Sequence, residues 1–264
     1  MDILAVILLF ILGVLFGIIS CIAGIGGGVF FVSFMVIFFL IPIDVAVDTS
    51  TFIILISSGA GFFTYYKQKR LHIQQVLLFS SFSILGSFTS TILFTFIHLD
   101  DTILKILFAT TILIAGVNMI YKAIKSKKYD PAHEEFENNF EINNHDYKTN
   151  LKKSIPLFFL AGVTANLLGI GGGIINTPSL HIILQYPIHN ATAISTGIIF
   201  FTAIYNTIAK SLFGEINYLI GILIGVGAVL GSVVGAKISK KIPKSHLQVL
   251  VAIVLMGLAI RMYF

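Results

Sequence analysis

The chain has little charge and a single cysteine. Of its 264 residues, 11% are Asp, Glu, Lys or Arg, whereas 56% are hydrophobic, and the mean hydropathy is +0.97. Such a composition excludes an ordinary soluble domain. Because Cys21 is the only cysteine, an internal disulfide is excluded as well. The apolar stretches are continuous and lack strict alternation, so they predict membrane-spanning helices and not a β-barrel.

The sequence also lacks the motifs of common catalytic and metal sites. It contains no HExxH, no CxxC and no Walker lysine. We therefore expect no enzymatic activity, no cofactor and no metal; a metal site at His133 and His145 is the disfavoured alternative. The net charge of +5 does not predict a nucleic-acid partner, because the basic residues form short clusters beside apolar stretches, where they signal membrane topology.

One glycine-rich pattern occurs twice in this apolar chain. Residues 24–28 read Gly-Ile-Gly-Gly-Gly, and residues 169–173 read the same. Each glycine costs about 1 kcal/mol relative to alanine inside a helix. Four glycines in five positions therefore indicate a helix break, a positive-φ turn, or close approach of a ligand to bare N–H groups. We call these segments the first and second glycine runs.

The residues after each run also match at a constant interval. Matching positions include Pro42 and Pro187, Ala46 and Ala191, Ser50 and Ser195, and Gly86-Ser87 and Gly231-Ser232. Such a match predicts two homologous halves. We assign residues 1–121 to the first membrane repeat, 122–153 to a solvated linker and 154–264 to the second repeat. The predicted fold is an all-α polytopic membrane protein in which each repeat has a glycine-broken helix pair, re-entrant or short, and three transmembrane helices.

The apolar stretches give the predicted elements. In the first half they are Ile3–Ile19, Val29–Ile41, Val45–Tyr66, Ile73–Ile97 and Ile103–Tyr121, with the first break at Ser20–Gly28. In the second half they are Ile155–Leu168, Ile174–Tyr186, Thr192–Ser211, Tyr218–Ala236 and Leu247–Phe264. The piece after each glycine run is too short to cross about 30 Å of hydrocarbon at about 1.5 Å per residue. Whether each broken pair fully crosses the bilayer stays open.

The basic clusters predict that the two halves face opposite ways. In the first half the cluster at residues 67–70 follows the third element, whereas in the second half the cluster at residues 237–244 follows the fourth. By the positive-inside rule, the halves are inverted, the linker is cytoplasmic and both termini are external. We expect a multi-pass protein of the cell membrane, in contact with the lipid bilayer.

Inverted repeats with broken helices are typical of secondary transporters, which bind substrate near the bilayer midplane. Val29 and Ile174 begin helices whose first N–H groups are unpaired and partly positive, so two helix starts could converge on one anion. The predicted substrate-binding residues are Gly24, Gly26, Gly27, Gly28, Thr49, Ser50, Asn166, Gly169, Gly171, Gly172, Gly173, Asn176, Ser195 and Thr196. Further hydroxyl or amide donors nearby are Ser20, Thr164, Thr177, Thr202 and Asn206. The alternative is that each hydroxyl only satisfies a helix carbonyl or packs at an interface.

Few ionisable residues lie within the apolar stretches. Asp48 and His181 are candidates for proton or cation coupling, because such residues inside membranes are functional by default. The alternatives are a water-interface position for Asp48 and a structural hydrogen bond for His181. Lys210 is expected to extend toward the interface. The sequence leaves formation of a homo-oligomer open.

Taken together, the glycine run early in each half, a proline turn and an Ala-x-x-Thr-Ser pattern resemble the sulfite exporter TauE/SafE family. The resemblance covers both halves. It falls on Gly24, Gly26, Gly27, Gly28, Ala46, Thr49 and Ser50, and again on Gly169, Gly171, Gly172, Gly173, Pro178, Ala191 and Ser195. The sequence departs from the pattern at Ser33, Asp48 and Ile194.

The resemblance implies transport of a small sulfur-containing anion, such as sulfite or an organosulfonate. We therefore expect a secondary transporter that works by alternating access. Asp48 puts the substrate in doubt, because an acid beside an anion path raises the cost of entry. The alternative is a non-transporting assembly or sensor component that acts through the cytoplasmic linker.

Overall fold

The computed structural model describes residues 3–96, 100–126, 150–239 and 244–263, and these ranges are helical and contain no strand. The first half has α1 (Ile3–Ala23), α2 (Gly28–Phe39), α3 (Ile43–Lys67), α4 (Ile73–Phe96) and α5 (Asp101–Ser126). The second half has α6 (Leu151–Leu168), α7 (Gly173–Pro178, continued by a π-helical turn at Ser179–Ile183), α8 (Ile188–Phe213), α9 (Tyr218–Ile238) and α10 (Lys244–Tyr263). Most of the predicted linker, including His133 and His145, lies outside the described residues.

Six of the described helices are long and apolar enough to cross a membrane: α1, α3, α4, α6, α8 and α9. Large apolar side chains are exposed along their outer faces, which suits contact with lipid. The all-helical membrane fold predicted from the composition is therefore confirmed. In the apolar 18-residue window of α3 and in that of α8, 72% of the residues are buried, whereas the share in the other four helices is 33% to 50%. The most enclosed part of the molecule thus lies around α3 and α8.

The helices of the two halves correspond in position and in packing. The start of α2 precedes the start of α7 by a fixed number of residues. The same number of residues separates α3 from α8, α4 from α9 and the first glycine run from the second. Helix α1 packs on α9 as α6 packs on α4, and α3 packs on α9 as α8 packs on α4. Exchange of the two halves about a two-fold axis would produce this pairing. The opposite orientation of the halves in the membrane stays a prediction.

Glycines let the paired helices approach closely. A Cβ built on Gly231 of α9 would overlap the carbonyl oxygen of Val14 in α1. At the matching position, a Cβ on Gly86 of α4 would overlap the carbonyl oxygen of Phe159 in α6. The small residues of α9 therefore serve packing.

Two of the differences between the observed helices and the predicted elements have a clear local cause. Helix α1 continues to Ala23, so the first break begins at Gly24 and not at Ser20. Ser20 and Cys21 fit a helix, and the chain leaves helical geometry only where a glycine permits positive φ. The second difference lies after Pro178, which has no N–H to donate. There the chain widens into a π turn, in which the N–H of Leu184 donates to the carbonyl of Ser179 at 3.1 Å.

Candidate functional site

Both glycine runs take a backbone conformation that L side chains rarely adopt. In the first run, φ is +67° at Gly24, +95° at Gly26 and +78° at Gly27. In the second run the matching values are +63°, +79° and +73°, at Gly169, Gly171 and Gly172. A residue with a Cβ costs roughly 1–2 kcal/mol in this region. Three glycines in each run are therefore required by backbone geometry.

The fourth glycine of each run is required by a close contact between the runs. A Cβ built on Gly28 would overlap the carbonyl oxygen of Gly169, and one on Gly173 would overlap that of Gly24. Between these contacts, a Cβ on Gly26 would lie 3.3 Å from the Cα of Gly171. The two runs therefore meet at one place, which we call the glycine crossing.

Hydroxyl groups of α3 and α8 hold the two runs in place. Ser50 Oγ shares its proton between the carbonyls of Gly169, at 2.8 Å, and Val47, at 2.7 Å, and Ser195 Oγ donates to the carbonyl of Gly24 at 2.9 Å. Thr177 Oγ1 also donates to the carbonyl of Gly24, at 2.8 Å. A hydroxyl has one proton, so Ser50 and Ser195 have none left for a ligand. Their geometry makes them positioning residues of the crossing.

The crossing leaves buried backbone donors available. Among the described residues, none accepts a hydrogen bond from the N–H groups of residues 26–29 or 170–174. All of these residues except Ile174 are buried. Unpaired backbone donors are costly in the middle of a membrane protein. The crossing is thus suited to a group that accepts hydrogen bonds, such as an anion or a water molecule.

Two small cavities flank the crossing. The first, the Asn206 cavity, is lined by Thr51, Ile54, Ala165, Gly171, Ile199, Thr202, Ala203 and Asn206. The second, the Cys21 cavity, is lined by Ser20, Cys21, Gly26, Ser57, Ser58, Thr196, Ile199 and Ser232. Each has room for about one water molecule. Most of their lining residues match when the two halves are aligned, so the cavities occupy equivalent positions.

The Asn206 cavity has a mostly apolar lining that contains one asparagine amide, that of Asn206. Asn166 Nδ2 donates to the side-chain oxygen of Asn206 at 3.3 Å and to Thr91 Oγ1 at 2.9 Å. Asn206 is 2% exposed, and no described residue accepts a hydrogen bond from its Nδ2. The amide of Asn206 therefore presents donors to the cavity that it lines. The hydrogen bond from Asn166 orients the amide of Asn206.

The Cys21 cavity has hydroxyls and a thiol in place of the amides. No described residue accepts a hydrogen bond from the hydroxyls of Ser20 and Ser232. Thr196 Oγ1 donates to a carbonyl of its own helix, that of Thr192, at 2.9 Å. When the two halves are aligned, Ser20 and Ser58 correspond to Ala165 and Ala203 of the other cavity, and Asn206 corresponds to Gly61, which is why the two cavities differ in chemistry.

Helices α3 and α8 run antiparallel, so the cavities lie toward opposite ends of the helix pair. Asp48 of α3 lies beside Lys210 of α8, and Gly61 of α3 lies beside Thr196 of α8. The Asn206 cavity is nearer the first pair, and the Cys21 cavity is nearer the second.

An ion pair closes the end beyond the Asn206 cavity. Lys210 Nζ lies 2.8 Å from Asp48 Oδ1, and the N–H of Glu215 donates to Asp48 Oδ2 at 2.9 Å. The N–H of Asn217 donates to Thr49 Oγ1 at 2.9 Å. The turn between α8 and α9 is thus fastened to the start of α3. Lys210, which the sequence analysis expects to extend toward the interface, has a carboxylate partner in Asp48.

A buried guanidinium closes the opposite end. Arg70 is fully buried; its Nη2 donates to the carbonyl of His189 at 2.7 Å, and its Nη1 donates to Ser239 Oγ at 3.0 Å. Asn190 Nδ2 donates to the carbonyl of Arg70 at 3.1 Å. Burial lowers the pKa of Arg70, yet a guanidinium keeps its charge because its ordinary value is so high. The turn after α3 is thereby fastened to the start of α8.

The structure brings only part of the predicted site together. The eight predicted glycines meet at the crossing, Thr196 lines a cavity and Asn166 supports one. Thr49 belongs to the closed end beside Asp48. Asn176 is buried but lines neither cavity. His181 is exposed on the outer surface, where its Nδ1 lies 2.9 Å from the carbonyl oxygen of Tyr186.

Sequence reasoning left several lining residues out of the predicted site. They include Thr51, Ser57, Ser58 and Ser232, and also Cys21. The alignment of the two halves could have identified two of these residues. Thr51 aligns with the predicted Thr196, and Ser57 aligns with Thr202.

Comparison with known proteins gives a consistent picture. A family model described as "Sulfite exporter TauE/SafE" matches residues 9–262. A probable membrane transporter protein of Methanocaldococcus jannaschii is 31% identical over 220 residues, which cover 81% of this chain and 76% of the relative. The probable membrane transporter proteins YunE and YdhB of Bacillus subtilis are 22% and 25% identical, each over 82% of both chains. No solved structure matches significantly. These matches favour a transporter over an assembly or sensor component, and over an enzyme.

Proposed function

Because this chain belongs to the sulfite exporter TauE/SafE family, we propose that it is a secondary transporter that carries a small, sulfur-containing anion by alternating access. Sulfite and organosulfonates are the substrates we expect. The family name supports this choice, as does a site built from neutral hydrogen-bond donors.

The observation that carries the proposal is the glycine crossing. It places unpaired N–H groups from both halves in the most enclosed part of the protein, between two cavities that carry further donors. An oxyanion accepts several hydrogen bonds at once, so it can satisfy donors that nothing else in the described chain satisfies. Asp48 does not oppose this role, because Lys210 neutralises its charge.

The two fastened ends supply a basis for alternating access. Release of the contacts between Asp48, Lys210 and Glu215 would open a path to the Asn206 cavity. Release of the contacts between Arg70 and the start of α8 would open a path to the Cys21 cavity. With the linker in the cytoplasm, the Asn206 cavity faces outward and the Cys21 cavity faces inward. This assignment places both termini outside the cell membrane and follows from the basic turn that contains Arg70.

Flux into liposomes tests the proposed function. Purified protein is reconstituted and offered sulfite, methanesulfonate, thiosulfate or sulfate, with and without a pH gradient. We expect uptake of at least one of the sulfur anions above that of empty liposomes. Absence of flux for all four, by protein shown to be folded, would refute the proposal. Dependence on the gradient would indicate coupling to protons.

A further inference from the structure

We infer that the glycine crossing and its two cavities select singly charged anions over dianions of the same shape. This inference rests on the proposed function and adds the charge of the substrate to it. It starts from the lining of the cavities, in which every side chain is neutral: apolar groups, hydroxyls, one thiol and one amide.

The nearest charged groups lie at the two ends of the helix pair, and none of them lines a cavity. Asp48 and Lys210 lie about one helical turn beyond Thr51 and Asn206, and together they form a neutral pair. At the other end, Arg70 is held by the carbonyl of His189, by Ser239 and by the ring of Tyr65, whose centroid is 4.7 Å away. These groups belong to the fastened ends and not to the cavities.

Charge then decides which anion can enter. The cost of taking an ion out of water rises with the square of its charge, so a dianion requires far more compensation than a monoanion. The compensation available consists of the Nδ2 group of Asn206, the hydroxyls of Ser20 and Ser232, and the N–H groups of the crossing. Neutral donors of this kind satisfy the oxygens of an SO₃ group but cannot neutralise two charges.

Methanesulfonate and sulfate provide the direct test. Both present an SO₃ face, but the first carries one negative charge and the second carries two. In liposomes that contain the wild-type protein, we expect kcat/KM for methanesulfonate to exceed that for sulfate at least about tenfold. Equal or faster transport of sulfate would overturn the inference and leave the proposed function intact. If none of the four anions moves, the proposed function is refuted, and the inference that rests on it is refuted as well.

Sulfite adds a second readout, since it exchanges between a monoanion and a dianion near neutral pH. We expect its uptake to rise as the pH falls and the monoanion becomes dominant. Methanesulfonate keeps its charge, so it corrects for titration of protein groups near the path, namely Asp48, Lys210, Glu215, Tyr65, Tyr205 and Cys21. Sulfite uptake that follows the dianion after this correction would contradict the inference.

Substitution of Asn206, whose amide lines one cavity, also tests whether charge is the basis of selection. Asn206→Lys adds an ammonium group to the cavity and should shift the ratio of sulfate to methanesulfonate transport upward by about tenfold. Asn206→Met has similar length without charge and should lower transport of both anions while leaving their ratio unchanged. An equal ratio in both variants would count against charge as the basis of selection.

Discussion

Lys210 Nζ, near the end of α8, lies 2.8 Å from Asp48 Oδ1, near the start of α3, and their side chains are 23% and 9% exposed. The two residues come from different halves of the chain. Their contact also holds the turn at Glu215 against α3. The pair therefore joins the halves at one end of the helix pair that carries the site.

Removal of one charge from this pair should destabilise the closed end. Asp48→Asn leaves the Lys210 ammonium largely buried without its partner, and we expect a loss of roughly 1–3 kcal/mol. Lys210→Met should cost a similar amount, and the double variant should recover part of it. Thermal unfolding in detergent measures all three. Additive losses in the double variant would show that the two residues do not act as a pair.

The same variants separate a structural role of Asp48 from a coupling role. If Asp48 fastens the turn, Asp48→Asn should retain uptake driven by a pH gradient, with a changed rate of opening. If Asp48 carries a coupled proton, gradient-driven uptake should disappear while exchange of substrate across the membrane persists. The structure favours the first result, because the carboxylate is already held by an ammonium and a backbone N–H.

Alanine at the crossing should abolish transport without unfolding the protein. Gly26→Ala and Gly171→Ala each force a Cβ into a positive-φ position, and the built Cβ atoms lie 3.3 to 3.4 Å from their nearest neighbours, which small shifts can accommodate. We expect a cost of roughly 1–2 kcal/mol each and a fall in flux of at least about tenfold. Gly257→Ala in α10 is the matched control, since nothing lies within 4 Å of a Cβ there. Full flux through both crossing variants would show that the runs serve packing alone.

Loss of either positioning hydroxyl should have the same effect in both halves. Ser50→Ala and Ser195→Ala each remove one hydrogen bond to a carbonyl of a glycine run, at a cost of about 1 kcal/mol. Ser81→Ala, at an exposed serine that bonds within its own helix, serves as the control. Unfolding temperatures and flux should fall together in the first two variants. A large rise in KM with unchanged stability would instead identify Ser50 or Ser195 as a direct ligand.

The two asparagines should act as one unit in substrate binding. Asn166→Ala removes the group that orients Asn206, and Asn206→Ala removes the donor itself. Each change should raise KM, and the double variant should be little worse than Asn206→Ala. Initial rates of uptake over a range of substrate concentrations measure this. Independent, additive effects would mean that Asn166 binds substrate by a separate route.

Much of the fold was predictable because it follows from local rules. Apolar length gave the spanning helices and the starts of α4 and α9, and the glycine runs gave the starts of α2 and α7 to within about one residue. The glycines were identifiable because other residues rarely adopt the positive φ angles found at Gly26 and Gly171. The exact start of the first break was not predictable, because Ser20 and Cys21 fit either a helix or a loop.

The roles of the polar side chains depended on tertiary contacts that the sequence does not display. Ser50 and Thr51 are neighbours, yet one holds a glycine carbonyl and the other lines a cavity. The Asp48 partner lies in the other half of the chain, so helix spacing could not identify it. His181 is hydrogen-bonded at the outer surface, a position that depends on the π turn after Pro178.

Thiol labelling tests alternating access at the crossing most directly. Cys21 is the only cysteine and lines one cavity, and Cys21→Ser with Asn166→Cys moves the thiol to the equivalent position in the other half. Protein in oriented vesicles is treated from either side with a membrane-impermeant thiol reagent, with and without substrate. We predict that Cys21 reacts only from the cytoplasmic side and the moved cysteine only from the external side, with substrate changing the two rates in opposite directions. Reaction of both cysteines from the same side would contradict the account.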